Sequence, residues 1–196
     1  MEYAYAKQLA ALKPSAIREI LKSAGDPNLI SLAAGNPAPE AFPVKELGEI
    51  AAKLFAEDPK SFLQYSVTEG DNGLRTAIAE ILAKRQNISC EKDEILVTSG
   101  AQQAIELTAR ALCDPEDVIL CEDPSFIGSL NSFRSHMVRL VGVPLAEDGV
   151  DLAALEEILK TEKKVKLFYI IPNFQNPTGR CTSLAKREAI LALAEK

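Results

Sequence analysis

The sequence predicts an α/β domain built on a mostly parallel sheet, and three observations carry that expectation. Helical and strand patterns alternate along most of the chain, separated by Gly, Pro and Asn. Runs such as Leu167-Phe-Tyr-Ile-Ile171 are apolar at every position, as suits a strand covered on both faces. The composition is that of a globular chain, with 47% hydrophobic residues among 196 and a mean hydropathy near zero. Layered α/β domains with parallel strands need this alternation. No internal repeat or low-complexity segment interrupts it.

The elements follow in order. Ser15–Ser23 is expected to be a short helix, because Ile17, Ile20 and Leu21 share a face and Gly25 can stop it. Leu29–Leu32 follows as a short extended piece, and Gly35-Asn-Pro-Ala-Pro39 as a loop. A helix from Lys45 to Ala56 carries Leu47, Ile50, Ala51, Leu54 and Phe55 on one side. Another, from Asn72 to Arg85, is expected to turn Leu74, Ile78, Ile81 and Leu82 inward. Then strands are predicted at Ile95–Thr98, Val118–Cys121, Val138–Val143 and Lys166–Ile171. Helices are predicted between them at Ala101–Leu112, Ser125–Ser135 and Asp151–Lys160. The strands at Ile95, Val118 and Leu167 are expected in one sheet. A last helix starts near Ser183, and its pattern (Leu184, Ile190, Leu191, Ala194) is still running at Lys196 with no C-cap Gly or Pro. The fold is therefore expected to continue past that residue.

Charge and composition narrow the function. The formal net charge is -6 and no basic stripe stands out, which argues against nucleic acid as a partner. Glu162-Lys163-Lys164 reads as a solvated helix end. No apolar run is long enough to span a bilayer, and Met1–Lys13 lacks the pattern of a signal peptide, so no membrane is expected and the cytoplasm is the expected compartment. Cys90, Cys113, Cys121 and Cys181 form no CxxC pair and match no common zinc spacing; they read as reduced, mostly buried thiols. His136 is the only histidine, and nothing near it supports a metal site or a Ser-His-Asp triad.

Three segments carry chemistry. Thr98-Ser-Gly-Ala-Gln-Gln-Ala104 follows a predicted strand and opens a helix. Ser99 would be its N-cap and Gln102 its capping-box partner. Such a turn points backbone N–H groups outward at the positive end of a helix, where a phosphate can bind, and Gly100 lets an anion come close. Most turns of this kind bind nothing, and this one matches neither the Walker A nor the GxGxxG pattern. Pro172-Asn-Phe-Gln-Asn-Pro-Thr-Gly179 follows another predicted strand, and ligands of open parallel sheets sit beyond the carboxyl ends of strands. A plain Asn-Pro turn explains its Pro and Gly but not so polar a segment there. Glu122-Asp-Pro-Ser-Phe126 ends a third strand, and Phe126 is either a core aromatic or a ring offered to a flat ligand.

Together these segments resemble the fold-type I pyridoxal-phosphate (PLP) enzymes of aminotransferase class I/II. Asn176-Pro-Thr-Gly179 matches that family's most recognisable motif in this part of the chain, and Gln64-Tyr-Ser-Val-Thr-Glu-Gly-Asp-Asn-Gly-Leu-Arg75 fits its entry segment. Ser15-Ala-Ile-Arg18, Ile30-Ser-Leu-Ala-Ala-Gly-Asn-Pro-Ala-Pro39 and Phe174-Gln-Asn-Pro177 resemble the branch of α-aminoadipate and kynurenine aminotransferases. The resemblance covers nearly the whole chain. It implies an incomplete, mostly parallel three-layer α/β/α domain of the PLP-dependent transferase fold with an N-terminal helical arm. Residues 1–44 would be the arm and 45–196 the first part of the large PLP-binding domain.

The resemblance also implies roles. Ala101 and Gln102 stand where the family holds the PLP phosphate, Phe126 where a ring stacks on the pyridine, and Asn176 where an amide donates to the phenolic oxygen. Tyr65 stands where a tyrosine reaches the phosphate of the other subunit of a homodimer. Ser15, Arg18, Gly35 and Asn176 stand where the branch contacts substrate. Arg18 would suit a side-chain carboxylate, and is as readily a solvent-facing helix residue. The family tends to have a cis bond at the position of Asn176–Pro177. The implied activity moves an amino group between an amino acid (α-aminoadipate, aromatic or branched) and a 2-oxo acid. The family's cofactor-bearing Lys, its pyridinium-binding Asp and its α-carboxylate Arg have no counterpart here and would fall beyond Lys196. Ser183 and Lys186 have the Ser-x-x-Lys spacing but open a helix too early in the chain. No catalytic residue is therefore assigned, and the chain alone is expected to be inactive. Another PLP reaction such as a β-lyase, and the effector domain of a transcription regulator, remain alternatives.

Overall fold

Residues 3–10, 12 and 37–196 are described by the structure, a computed structural model. The expected helix at Ser15–Ser23 and the extended piece at Leu29–Leu32 lie outside the described residues. The elements run α1 (Lys7–Ala10), α2 (Val44–Glu57), α3 (Pro59–Leu63), α4 (Asn72–Gln86), α5 (Ala101–Leu112), β1 (Val118–Asp123), α6 (Ile127–Ser135), β2 (Arg139–Ala146), β3 (Gly149–Val150), α7 (Leu152–Thr161), β4 (Val165–Tyr169) and α8 (Leu184–Ala194). Two compact units result, one made of Ser99–Lys196 with the first residues of the chain, the other ending at Thr98. No helix among the described residues is long and apolar enough to cross a membrane.

The unit from Ser99 onward is a three-layer sandwich. Its sheet has the order β3-β2-β1-β4, and β1 runs parallel to both β2 and β4. The period of two along β1 sorts its side chains. Val118 and Leu120 join Val143, Val150 and Leu155 on one face, while Ile119 joins Ala109, Phe133 and Val138 on the other. α7 and α8 cover the first face through Leu155, Ile158, Leu159, Ile190 and Leu193. α5 and α6 cover the second through Ile105, Ala109 and Phe133, and α1 lies against α6. The apolar run Val118–Cys121 is thus covered on both sides, whereas Leu167–Ile171 is half-buried and its strand, at the edge of the sheet, ends at Tyr169. Asp151 caps α7 by accepting from the N–H groups of Ala153 and Ala154 at 2.9 and 3.1 Å.

One strand is antiparallel and was not anticipated. β3 pairs with β2 through Leu145–Val150 and Ala146–Gly149. Gly149 has φ +118°, and a Cβ there would lie 2.8 Å from the Thr182 methyl, so only glycine fits this corner. A two-residue strand leaves no periodicity to read.

The other unit is helical where described. α2 and α4 form at the predicted places, and Asp71 caps α4 through the Leu74 N–H at 2.8 Å. Phe55 of α2 meets Phe62 of α3 edge to face, with ring centroids 4.9 Å apart. The expected inward face of α4 needs correction. Leu74 and Ile81 are exposed, while Ile78 and Leu82 are only half-buried. Periodicity specifies the apolar stripe, but burial needs a partner surface, and the described residues of this unit do not supply one. Its sole buried residue among those described is Arg75. The guanidinium donates to Asn72 Oδ1 at 2.6 Å and to the Lys92 carbonyl at 3.1 Å, with Asp93 at 3.4 Å.

A second correction concerns Ile95–Thr98. It is extended but belongs to no sheet, and it falls in the helical unit rather than with β1 and β4. Both edges of β1 are taken by β2 and β4, and the Val97 N–H goes instead to the Glu69 carbonyl at 2.9 Å. A β-branched run is strand-like only where a ladder partner receives it.

Candidate functional site

Two strand ends and one helix start build the site. β1 and β4 are parallel, so both carboxyl ends open on the same edge of the sheet. After β1 the chain passes a cis Asp123–Pro124 bond and Ser125 to Phe126, the N-cap of α6. After β4 it enters the loop that contains Asn176-Pro-Thr-Gly179. The Asn176–Pro177 bond is cis, as expected.

The helix start differs in detail from the sequence reading. Gly100, not Ser99, is the N-cap of α5, with φ +81° and no side-chain cap. Gln103, rather than Gln102, reaches back and accepts from the Ser99 N–H. The capping partner is displaced because the chain turns at the glycine, one residue later than Ser99. A Cβ on Gly100 would meet nothing within 4 Å, so open space adjoins the backbone where the first-turn N–H groups lack intrahelical acceptors. Gln102 turns toward α6 and donates its amide to the Gly128 carbonyl at 3.2 Å.

Gly128 gathers two expected residues. A Cβ there would come 2.6 Å from the Phe126 ring and 3.2 Å from Gln102 Oε1. Only a glycine lets ring and amide lie side by side over the backbone. Phe126 is half-buried, and Ala101, Gln102 and Asn176 are exposed. The Ser125 hydroxyl is buried without a hydrogen-bond partner. Tyr65 belongs to the helical unit, between α3 and α4, and is fully exposed. Ser15, Arg18 and Gly35 lie outside the described residues. Lys186 is committed elsewhere: its ammonium donates to the Val150 carbonyl at 2.7 Å and pairs with Asp148 at 2.8 Å.

The residues that hold the loop were missed in the sequence. Glu122, at the end of β1, is 2% exposed. Its Oε2 accepts from the Ile171 N–H at 3.0 Å and from Gln175 Nε2 at 3.2 Å. Burial pushes its carboxyl above the ordinary carboxylate range, and those two donors oppose the shift. Gln175 also donates to the Pro124 carbonyl at 2.8 Å and accepts from the Thr178 N–H and hydroxyl at 3.0 and 2.7 Å. Arg187 fastens the loop's ends through the Pro172 and Thr182 carbonyls. The only signal was a carboxylate at the end of an apolar strand, and a Gln in a polar loop says nothing by itself.

A three-layer parallel domain with an open helix start, an aromatic ring and an Asn-Pro loop at one sheet edge defines a class of ligand-holding α/β proteins. The comparisons narrow it. The sequence profile of the family described as aminotransferase class I and II matches residues 27–196. The 2-aminoadipate transaminase of Thermus thermophilus is 41% identical over 97% of this chain and 46% of its own length. Among solved structures, LysN of Thermus thermophilus, an α-aminoadipate aminotransferase complexed with N-(5'-phosphopyridoxyl)-L-leucine, superposes with a TM-score of 0.86 at 39% identity, over 97% of this chain and 46% of that one. The kynurenine aminotransferase of Pyrococcus horikoshii, in complex with PMP, gives 0.90 at 34% identity, over 97% and 48%. This chain belongs to the aminotransferase class I and II family and has the fold of these enzymes over the part it spans. It spans about half the length of the relatives it matches.

Proposed function

We propose that the chain is the part of a PLP-dependent aminotransferase that holds the phosphate and ring of the cofactor, in an enzyme that moves an amino group between an amino acid and a 2-oxo acid. The observation that carries this is the gathering of the α5 start, Phe126 and the Asn176 loop at one edge of a parallel sheet. The residues present fit PLP. The first helical turn at Ala101–Gln102 offers N–H donors and a positive helix end to a phosphate, with open space beside Gly100. Phe126 offers a half-buried ring, and the Asn176 amide can donate to a phenolic oxygen. When bound, PLP supplies the electron sink for reactions at the amino acid's α-carbon.

The finer reading extends the resemblance. Ser15, Arg18, Gly35 and Asn176 would face substrate, with Arg18 gripping a side-chain carboxylate such as that of α-aminoadipate. Residues 1–44 would act as the arm that brings the first three there. Tyr65 would serve the partner subunit of a cytoplasmic homodimer, and its full exposure is compatible with that use.

The test is a PLP titration of the purified protein, followed by absorbance and by tyrosine fluorescence. Saturable binding competed by inorganic phosphate is expected, weakened about tenfold or more by Asn176→Ala through the lost charge-assisted bond. Absence of saturable binding overturns the proposal. With α-aminoadipate and 2-oxoglutarate the 196-residue chain should show no turnover. Turnover would show that a lysine present here performs the exchange.

A further inference from the structure

We propose that Gln175 and Glu122 are the positioning residues of this site, a buried amide–carboxylate pair that fixes where Asn176 stands. Asn176 itself is exposed, and so are its neighbours Pro177 and Thr178. Gln175 is the buried exception, 2% exposed, between Asn176 and a Phe174 that is 80% exposed. Its amide uses all of its capacity. Nε2 donates twice, to Glu122 and the Pro124 carbonyl, and Oε1 accepts twice from Thr178. The orientation has no alternative: a flipped amide would set Oε1 against a carboxylate and a carbonyl, and Nε2 against the Thr178 N–H.

The geometry brackets Asn176. Gln175 precedes it by one residue, and Thr178 follows it by two. Both meet at one amide, and that amide is bound to the end of β1, a strand whose residues Val118–Glu122 are all buried. Glu122 reinforces this from below by also holding the Ile171 N–H, where the loop leaves the sheet. The arginine contacts act elsewhere. Arg187 holds Pro172, Asn173 and Thr182, and Arg180 reaches back to the Leu145 and Ala146 carbonyls. Loss of Gln175 should therefore free the loop's apex while its ends stay fastened. Glu122 faces no cation among the described residues, so the carboxylate is committed to its two N–H donors, and its partner must be a donor of the reach and shape of Gln175.

Toward PLP this inference rests on the proposed function; toward the loop it stands alone, and the experiment separates the two. Hydrogen–deuterium exchange of residues 172–182 is compared in the protein and in Gln175→Met, Glu122→Met and the conservative Glu122→Gln, together with affinities for PLP and for inorganic phosphate. Gln175→Met should speed exchange at least tenfold at Thr178, whose N–H loses its acceptor Oε1, and less at Gly179, whose N–H keeps the Gln175 backbone carbonyl. Glu122→Met should do the same by removing the acceptor of both the Ile171 N–H and Gln175 Nε2, and it serves alone if Gln175→Met does not fold. Glu122→Gln should keep most of the protection, because its amide oxygen can take the place of Oε2 and accept from both donors. PLP affinity should fall tenfold or more in Gln175→Met and Glu122→Met while phosphate affinity stays within twofold, since phosphate needs only the α5 start. Exchange at Thr178 unchanged within twofold in Gln175→Met and Glu122→Met overturns the proposal, and so does an equal loss of PLP and phosphate affinity. If the unaltered protein binds no PLP, the cofactor reading fails, and the exchange results still decide the pair.

Discussion

The two units of this chain obey the same local rules and reach opposite outcomes. In Ser99–Lys196, apolar residues at the strand and helix periods end in a core, with Val118, Ile119, Val143 and Val150 fully buried. In the described part of the other unit, amphipathic helices of similar length form, yet Leu47, Ile50 and Phe55 each remain more than half exposed. Propensity and capping are not the difference: Asp71 caps α4 as Asp151 caps α7. The difference is topological. β1 receives partners on both edges and both faces, so each of its residues is covered by an element that is itself covered. α2 and α4 each present a stripe with no sheet to receive it. Amphipathic pattern specifies an element, and only a closed set of elements specifies burial.

The strongest way to break this comparison is to remove atoms from the covered side. Leu120 is 1% exposed, between the ladders to β2 and β4. Leu120→Ala should cost about 2–5 kcal/mol in a urea titration followed by circular dichroism, the range of buried leucines that leave a cavity. A loss under about 1 kcal/mol would mean that this core is loose, and that the contrast between the units is one of appearance.

How much was legible follows from the same contrast. Val118–Cys121 could be read as a strand because four apolar residues in a row fit only a two-sided environment. α5 and α7 could be read because their apolar residues recur at the helical period. The strand at Ile95–Thr98 was misread because its composition is strand-like while its ladder partner is not a property of its own sequence. The inwardness of Leu74 and Ile81 failed for the same reason. For the candidate site, Gln102, Phe126 and Asn176 could be singled out because each belongs to a contiguous segment at the end of a predicted strand. Glu122 and Gln175 were not assigned roles, because their partnership joins residues 53 apart and neither is unusual where it stands.

An intermediate effect is expected at Arg75, the one place among its described residues where the helical unit does bury a side chain. Its guanidinium ties α4 to the turn at Lys92–Glu94 through Asn72, the Lys92 carbonyl and Asp93. Arg75→Met keeps the length of the stem and removes the donors. A loss of about 0.5–1.5 kcal/mol is expected, the net worth of hydrogen bonds whose exposed acceptors can turn to water. It should be local, read as faster hydrogen exchange in residues 72–94 with the Ser99–Lys196 unit unchanged. Faster exchange through β1 and β4 as well would show that the two units unfold together and that the division between them has no energetic content.

The smallest effect is expected at Leu47, and it sharpens the comparison most. Leu47 is 59% exposed on the stripe that it shares with Ile50 and Leu54. Its side chain gives up little water-exposed area on folding, so the term that dominates at Leu120 is mostly missing here. Alanine is also the better helix former by a small margin, which offsets the little packing that is lost. Leu47→Ala should therefore move stability by no more than about 0.5 kcal/mol, as surface substitutions do. The measurement is the same urea titration, run at low and at high protein concentration. A loss above about 1 kcal/mol at both concentrations would mean that α2 is covered within the chain and that the exposed stripe is wrong. A loss that appears only at high concentration would mean that a second copy of the chain covers α2, since mass action ties that stabilisation to the amount of partner present. In that event the unit whose faces look unfinished would be complete only as an assembly, and the rule drawn from β1 would hold for α2 across two chains instead of within one.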